Sequence, residues 1–316
     1  MTTRHSPHVG PDLEGSSDRA APLVSIGLPV YNGETYLRRS LDGLLAQTLT
    51  DFELIISDNA STDATGLICQ EYAARDDRIR YVRQVTNIGA APNHNVVVDL
   101  ARGRYFKWAS HDDLYHPELV RLCVEALEQH PEAALAHSWH GYIDSQGVVL
   151  SADPYPLDTA NPSPRARLRS ILRTPGGTDF YGVVPTEVMR AVPRHDNYYN
   201  ADRTFVAGLA LAGPFLQVPR VLYYCRQHTG QASHGNRRAK AAALGPARAN
   251  RLVHPMVRMY AEYVLGFTRA VWTAPLSPRE RWGCTWEVAA WMFSAWTSRW
   301  LRPSTRSATT RALSRR

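Results

Sequence analysis

The stretch Tyr105–Tyr115, YFKWASHDDLY, decides the fold. Tyr105 to Ala109 is an apolar run with the character of a buried strand. It breaks into Ser110-His111-Asp112-Asp113, and helix signals follow at once: His116 as cap, Pro117 in the first turn and Glu118 behind it. Two adjacent carboxylates at the carboxyl end of a core strand are costly to hold unless something neutralises them. A hard divalent cation carrying a substrate diphosphate does so, because such ions take oxygen ligands and leave room for phosphate. Equally, the pair can serve only the amino end of the next helix. The choice turns on the ends of the other strands.

Upstream, Val24–Val30 (VSIGLPV) reads as a first buried strand, and Glu34–Leu45 has helical spacing at Tyr36, Leu37, Leu41, Leu44 and Leu45. Phe52–Ile56 is a second strand. Ser61-Thr62-Asp63 opens a helix that buries Leu67, Ile68 and Tyr72. Ile79–Val82 is a third strand, followed by a helix over Pro92–Leu100. Downstream come a helix from Pro117 to Gln129 and a strand from Ala133 to Trp139. Such alternation implies an α/β fold: a Rossmann-like, mostly parallel sheet with helices on both faces. From Gly141 the pattern changes to a hairpin (Tyr142–Leu150), a short helix (Arg165–Leu172) and a strand over Asp179–Val184. A helical run through Phe205, Val206 and Leu209 and a strand over Phe215–Cys225 follow.

The 316 residues suffice for one large α/β domain with an appendage, or for two domains. Cys69, Cys123, Cys225 and Cys284 form no CxxC pair, which argues against a zinc site or a disulfide framework and fits a reducing compartment. Residues 1–20 are polar and lack an apolar segment, so residues 1–21 are expected to be a disordered leader. The net charge of +7 is uneven, with Arg302, Arg306, Arg311, Arg315 and Arg316 crowding the end of the chain. An aromatic-basic RNA-binding pattern is absent, which sets nucleic acid aside. Met256–Trp272 is amphipathic, and Trp282, Trp286, Ala289, Phe293, Trp296 and Trp300 step along one helical face. That segment is too polar and short for a membrane span. It is expected either to pack on the domain or a second subunit, or to dock at a membrane surface.

In an open parallel sheet, ligands bind beyond the carboxyl ends of the strands. Here those ends carry Tyr31-Asn32, Asp58-Asn59, Asn87 and Asp112-Asp113, a run of polar groups with an acidic pair among them. Neither GxGxxG nor GxxxxGK[ST] follows the first strand. The blocks PVYNGE (29–34), SDNASTDAT (57–65), NIG (87–89) and SHDD (110–113) resemble the donor half of a family 2 glycosyltransferase. The resemblance, over about residues 22–230, implies a GT-A fold, a nucleotide-diphosphate sugar donor and inversion at the anomeric carbon. It implies further that Pro29, Tyr31 and Glu34 shape the nucleotide pocket, with Tyr31 against the base and Asn87 nearby. Asp58 would accept a hydrogen bond from a pyrimidine imide, which suits UDP or dTDP. The family's Asp-x-Asp-Asp stands here as Ser110-His111-Asp112-Asp113. Asp112 is then the metal ligand, for Mn²⁺ or Mg²⁺, with Asp113 beside it.

Two further blocks resemble the acceptor half. NADRTFVAGLALAG (200–213) matches a segment in which a Glu-Asp pair opens a helix; Ala201 replaces the Glu, and Asp202 stands where the family has its general base. YCRQHTGQASH (224–234) resembles the segment that closes over the donor diphosphate, with Arg226 and His228 neutralising the leaving group and His228 reaching the metal. The resulting expectation is a GT-A domain over 22–230, with a nucleotide-sugar and metal half (22–140) and an acceptor half (141–230). A linker (231–250), a C-terminal extension of amphipathic helices (251–301) and a basic tail (302–316) follow. The expected activity is metal-assisted, inverting sugar transfer from a UDP- or dTDP-sugar, in the cytoplasm or peripherally at its membrane face. The acceptor is open: glycan, lipid-linked sugar or natural product. The rivals are a non-catalytic binding or assembly subunit, for which Ser110 and Ala201 are marks of decay, and a nucleotidyltransferase, which should show a Gly-rich basic loop where PVYNGE stands.

Overall fold

The computed structural model describes residues 20–174, 178–198, 200–228 and 255–300. Its first half is an alternation of β1 (Val24–Val30), α1 (Leu37–Leu45), β2 (Phe52–Asp58), α2 (Thr65–Arg75), β3 (Ile79–Arg83), α3 (Ala90–Leu100) and β4 (Tyr105–Trp108). The four strands pair in parallel in the order β3-β2-β1-β4. Every residue of β1 and β2 is buried, because helices cover both faces, and this is why the strands read as continuous apolar runs. Gly27 permits the approach of α3 to β1: a Cβ there would lie 2.6 Å from Val97 Cγ2 and 2.8 Å from the Phe106 ring.

The second half comprises β5 (Leu114–Tyr115), α4 (Leu119–Gln129), β6 (Leu135–Ile143), β7 (Val149–Asp153) and α5 (Pro164–Arg173). A 3₁₀ turn (Thr178–Tyr181), β8 (Val183–Pro185), α6 (Thr186–Ala191), α7 (Ala201–Ala212) and β9 (Phe215–Arg226) complete it. These strands extend the same sheet from β4 as β8-β6-β9-β5, with β7 hairpinned onto β6. β8 runs antiparallel to both β4 and β6, β9 is parallel to β6, and β5 is antiparallel to β9. One face of the sheet packs on Leu37, Leu41 and Leu44 of α1 and Val120, Val124 and Leu127 of α4. The other packs on Val97, Leu168, Ile171, Phe205 and Leu209. Two last helices, α8 (Pro255–Thr273) and α9 (Pro278–Trp300), add to this second face through Phe267, Val271, Cys284 and Val288. No helix among the described residues is long and apolar enough to cross a membrane.

Several sequence expectations are corrected in detail. Leu67 lies on the solvent side of α2, 71% exposed, while Ile68 and Tyr72 are buried as expected. Asp179–Val184 is not one strand but the 3₁₀ turn followed by the three-residue β8. On α9 the buried face is Cys284, Glu287 and Val288, with Trp291 half-buried; the face of Trp282, Trp286, Ala289 and Phe293 points to solvent. The leader, the linker expected at 231–250 and the basic tail lie outside the described residues.

Candidate active site

Three strand-end loops of the parallel half are sewn together by their own polar side chains. Asn32 adopts the left-handed region (φ 50), and its Oδ1 accepts the Thr62 N–H at 2.8 Å, while its own N–H donates to Ser61 Oγ at 2.9 Å. Glu34 Oε2 accepts the Ala64 N–H at 2.9 Å, and the Glu34 N–H donates back to Asp63 at 3.2 Å. Asn87 Oδ1 accepts from Asn59 Nδ2 at 2.9 Å. Pro29 is buried in β1 opposite Ser57. These contacts place Glu34, Asn87 and Pro29 as supports of the loops. Tyr31, 45% exposed, is the group they present to solvent.

Asp58 is fully buried. Its Oδ1 accepts the Ser61 N–H at 2.8 Å, and its Oδ2 accepts from Tyr81 Oη at 2.9 Å and Arg83 Nη1 at 2.7 Å. A carboxylate has about four acceptor sites, so these donors leave one.

The acidic pair after β4 divides into two roles. Asp113 turns inward: Arg226 N–H donates to its Oδ1 at 2.8 Å and the Tyr223 hydroxyl to its Oδ2. Burial, and then the neighbouring Asp112 charge, push its carboxyl up to about 7. Asp113 therefore ties the loop to β9, where the sequence had suggested a group beside the metal. Asp112 is less deeply buried, with its side chain 12% exposed. Its Oδ1 accepts the Ser110 hydroxyl and its Oδ2 lies 3.0 Å from His228 Nε2. Burial raises its pKa, but His111, the Ser110 hydroxyl and His228 outweigh it and hold the carboxyl below its usual range. The His228 ring packs on Tyr36 at 4.9 Å. Gly33 lets His111 come close, since a Cβ at that position would meet the His111 ring at 2.6 Å.

Arg226 was expected to neutralise a leaving diphosphate. The structure instead buries it completely. Its Nε donates to the Asp112 carbonyl at 2.7 Å, and its Nη1 to the carbonyls of Asp144 and Ser145 at 3.0 and 3.2 Å. Arg226 thus clasps the Asp112 loop to the turn of the β6–β7 hairpin. A charge-assisted fork of this kind is a framework contact.

Beneath the loop lies a group the sequence reading passed over. Lys107, in the middle of β4, is fully buried; its Nζ donates to the carbonyls of Trp108 and Tyr181 and stands 5.4 and 5.6 Å from the Tyr115 and Tyr223 rings. Burial lowers its pKa to about 8. Both tyrosines of this cage brace the loop, Tyr223 through Asp113 and Tyr115 through the Ser110 N–H and carbonyl at 2.7 and 2.8 Å. A lysine inside an otherwise apolar strand was the available signal.

Asp202 opens α7 after Asn200, which adopts the left-handed region (φ 60). Burial raises its pKa, the Arg203 charge and backbone lower it, and the Asp179 charge raises it again. Asp179 of the 3₁₀ turn is buried and accepts the Tyr155 hydroxyl at 2.5 Å. Its charge acts on Asp202, and the charges of Asp113 and Asp112 act on Tyr181 of the same turn. A cavity of about 370 Å³, lined by Asn95, Trp108, Met189, Arg190, His195 and Phe205, opens on one side of α7. Another of about 210 Å³ lies between α7 and α8, lined by Tyr198, Thr204, Glu262 and Arg269. Among the described residues no group of three or more His, Cys, Asp or Glu side chains is arranged to hold a metal ion. Asp112 and His228 form a pair.

Comparison with known proteins bears on the family and the fold. The profile of glycosyl transferase family 2 matches residues 25–182, half of the chain. The chain is 35% identical over 139 residues to the chondroitin synthase of Escherichia coli, a match covering 44% of this chain and 20% of that protein. It is 38% identical over 108 residues to the uncharacterized glycosyltransferase EpsJ of Bacillus subtilis, covering 34% and 31% of the two chains. The matched stretch is therefore well under half the length of these relatives. Among solved structures, TarS of S. aureus in complex with UDP-GlcNAc superposes with a TM-score of 0.62 at 18% identity, over 86% of this chain and 72% of that one. The mannosyltransferase PcManGT of Pyrobaculum calidifontis, in complex with GDP-Man and Mn²⁺, does so with a TM-score of 0.50 at 15% identity, over 95% and 92%. These neighbours share the GT-A arrangement of a mostly parallel sheet flanked by helices with a helical extension. With the profile spanning β1 through the 3₁₀ turn, the chain belongs to glycosyl transferase family 2.

Proposed function

We propose that the protein is an inverting glycosyltransferase that moves a sugar from a UDP- or dTDP-sugar to an acceptor hydroxyl. The observation that carries the reading is Asp112: the less deeply buried carboxylate of the acidic pair, its Oδ2 3.0 Å from His228 Nε2 at the carboxyl end of the sheet. A carboxylate and an imidazole suit Mn²⁺, or Mg²⁺ through the carboxylate, with phosphate and water completing the shell. Asp112 and His228 would hold that ion, which when bound neutralises charge on the diphosphate. The Mn²⁺ in the PcManGT complex supports this assignment by fold alone.

The chain's own groups divide the remaining work. Tyr31 offers an exposed ring to the base, and Asp58, buried beneath Tyr81 and Arg83, would meet an imide N–H once those side chains move aside. Asp202, its pKa raised by burial, takes the proton of the acceptor hydroxyl as that oxygen bonds to the anomeric carbon. The bond from that carbon to the diphosphate oxygen breaks in the same displacement, and the configuration inverts. Acceleration then comes from positioning two reactants and from the field at the leaving group.

The test is thermal melting with UDP, dTDP, GDP and CDP, each with and without Mn²⁺. Ligand at 100 times Kd should stabilise by about 2.7 kcal/mol. A Mn²⁺-dependent shift with UDP or dTDP that disappears in Asp112→Asn supports the donor site. Asp202→Asn should keep that shift and lose about 100-fold or more in transfer rate. A folded protein that shifts with no nucleotide points instead to a non-catalytic member of the family.

A further inference from the structure

The aromatic residues of α9 are divided between two faces. Trp291 packs inward, 5.6 Å from the rings of Tyr263 and Phe267, and Glu287 is buried on the same side. On the opposite side Trp282, Trp286 and Phe293 are 66, 67 and 67% exposed, and Trp272 at the end of α8, 50% exposed, joins them with its ring 5.9 Å from Trp282. Trp296 and Trp300 continue the same spacing in sequence. A row of large rings pointing at water exceeds the scatter of single exposed hydrophobics on ordinary surfaces.

The charge flanking the row is mainly positive, with Glu280 in the first turn of α9 as an exposed acid. Arg165, Arg169 and Arg173 of α5 all lie against the single carboxylate of Glu287, leaving that cluster with excess positive charge. Arg281 lies over the Trp272 ring at 5.9 Å. From residue 288 to 316 the sequence holds Arg299, Arg302, Arg306, Arg311, Arg315 and Arg316 and no acid. Tryptophans favour the headgroup level of a bilayer, and arginines near it are drawn to anionic lipids.

We propose that this face of α8 and α9 docks on the surface of an anionic lipid bilayer, with the rings at the interface and the arginines among the headgroups. The helix lies in the plane of the surface. Its inner face stays packed on α5 and α8, so docking needs no unfolding.

The experiment is co-sedimentation of the full chain with vesicles of phosphatidylcholine alone or with about 30% phosphatidylglycerol, alongside Trp282→Ser/Trp286→Ser/Phe293→Ser. The wild type should bind the anionic vesicles about tenfold or more tightly than the neutral ones, and the binding should weaken with salt. The triple variant should lose about tenfold or more while still unfolding cooperatively, since the substituted rings are about two-thirds exposed. Wild type remaining in the supernatant, or a variant that binds as well as wild type, overturns the proposal. So does sedimentation velocity showing a wild-type dimer that the variant converts to monomer, for then the face covers a second copy of the chain.

Discussion

Asp113 and Asp112 are adjacent in sequence and opposite in use. Asp113 spends both oxygens on β9, through Tyr223 and the Arg226 N–H; Asp112 meets His228. Tyr223→Phe should therefore act as a structural lesion. It leaves one oxygen of a buried carboxylate without its donor, and about 1–3 kcal/mol should be lost in urea denaturation. This division was not legible from residues 110–113. Which of two neighbouring acids points inward is decided by β9, more than a hundred residues away in sequence. Arg226 shows the same limit. Its position in a resembling block suggested a diphosphate contact, and only the β6–β7 turn, whose carbonyls it meets, shows that it is a clasp.

At the scale of elements, the parallel half was readable because its buried strands are mostly apolar, with Ser25, Glu53 and Lys107 as exceptions, and their ends carry turn chemistry. The three-residue β8 was not, since so short a strand has no period. For α9 the aromatic face was read with two outcomes open, packing on protein or docking at a membrane surface, and in the structure it does not pack on the domain. Aromatic residues mark a face that is unhappy in water, and nothing local says whether protein or another surface covers it. The buried face is anchored by Glu287, whose Oε1 accepts from Arg165 at 2.8 Å and from Arg169 at 2.6 Å. Hydrogen bonding from Arg169 leads burial and holds its pKa at about 2. The group is depressed relative to the unfolded chain, so its contribution is present above about pH 4.5 and is lost as pH falls toward 2. Glu287→Ala should cost about 1–3 kcal/mol at pH 7, discounted because its partners are half-exposed. The difference from wild type, followed by chemical denaturation against pH, should shrink through that same window.

For the whole molecule, His137 gives a second acid-sensitive contribution. Burial lowers its pKa to about 4 from an ordinary 6.5, so the unfolded chain binds the extra proton between these values and stability should fall as pH drops through them. His137→Gln should reduce, without abolishing, the fall of melting temperature between pH 6.5 and 4, because His195 is lowered further, to about 3; an unchanged slope would sink the assignment. The global order of strands was beyond the sequence reading. The two halves join where β4 meets β8 antiparallel, Tyr105 opposite Pro185, a pairing that no periodicity in either segment announces.

The clasp of β9 on the Asp112 loop also has a meaning in time. The parallel half is built from neighbours in sequence, whereas Asp113 meets the Arg226 N–H across 113 positions of chain. At about 5–20 residues per second, a ribosome completes the loop on its way and supplies its clasp roughly 6–23 s later. Until then Tyr115 and Ser40 hold Ser110, but Asp113 lacks both of its partners from β9. A nascent chain ending before residue 223 should therefore respond to nucleotide more weakly than the full chain.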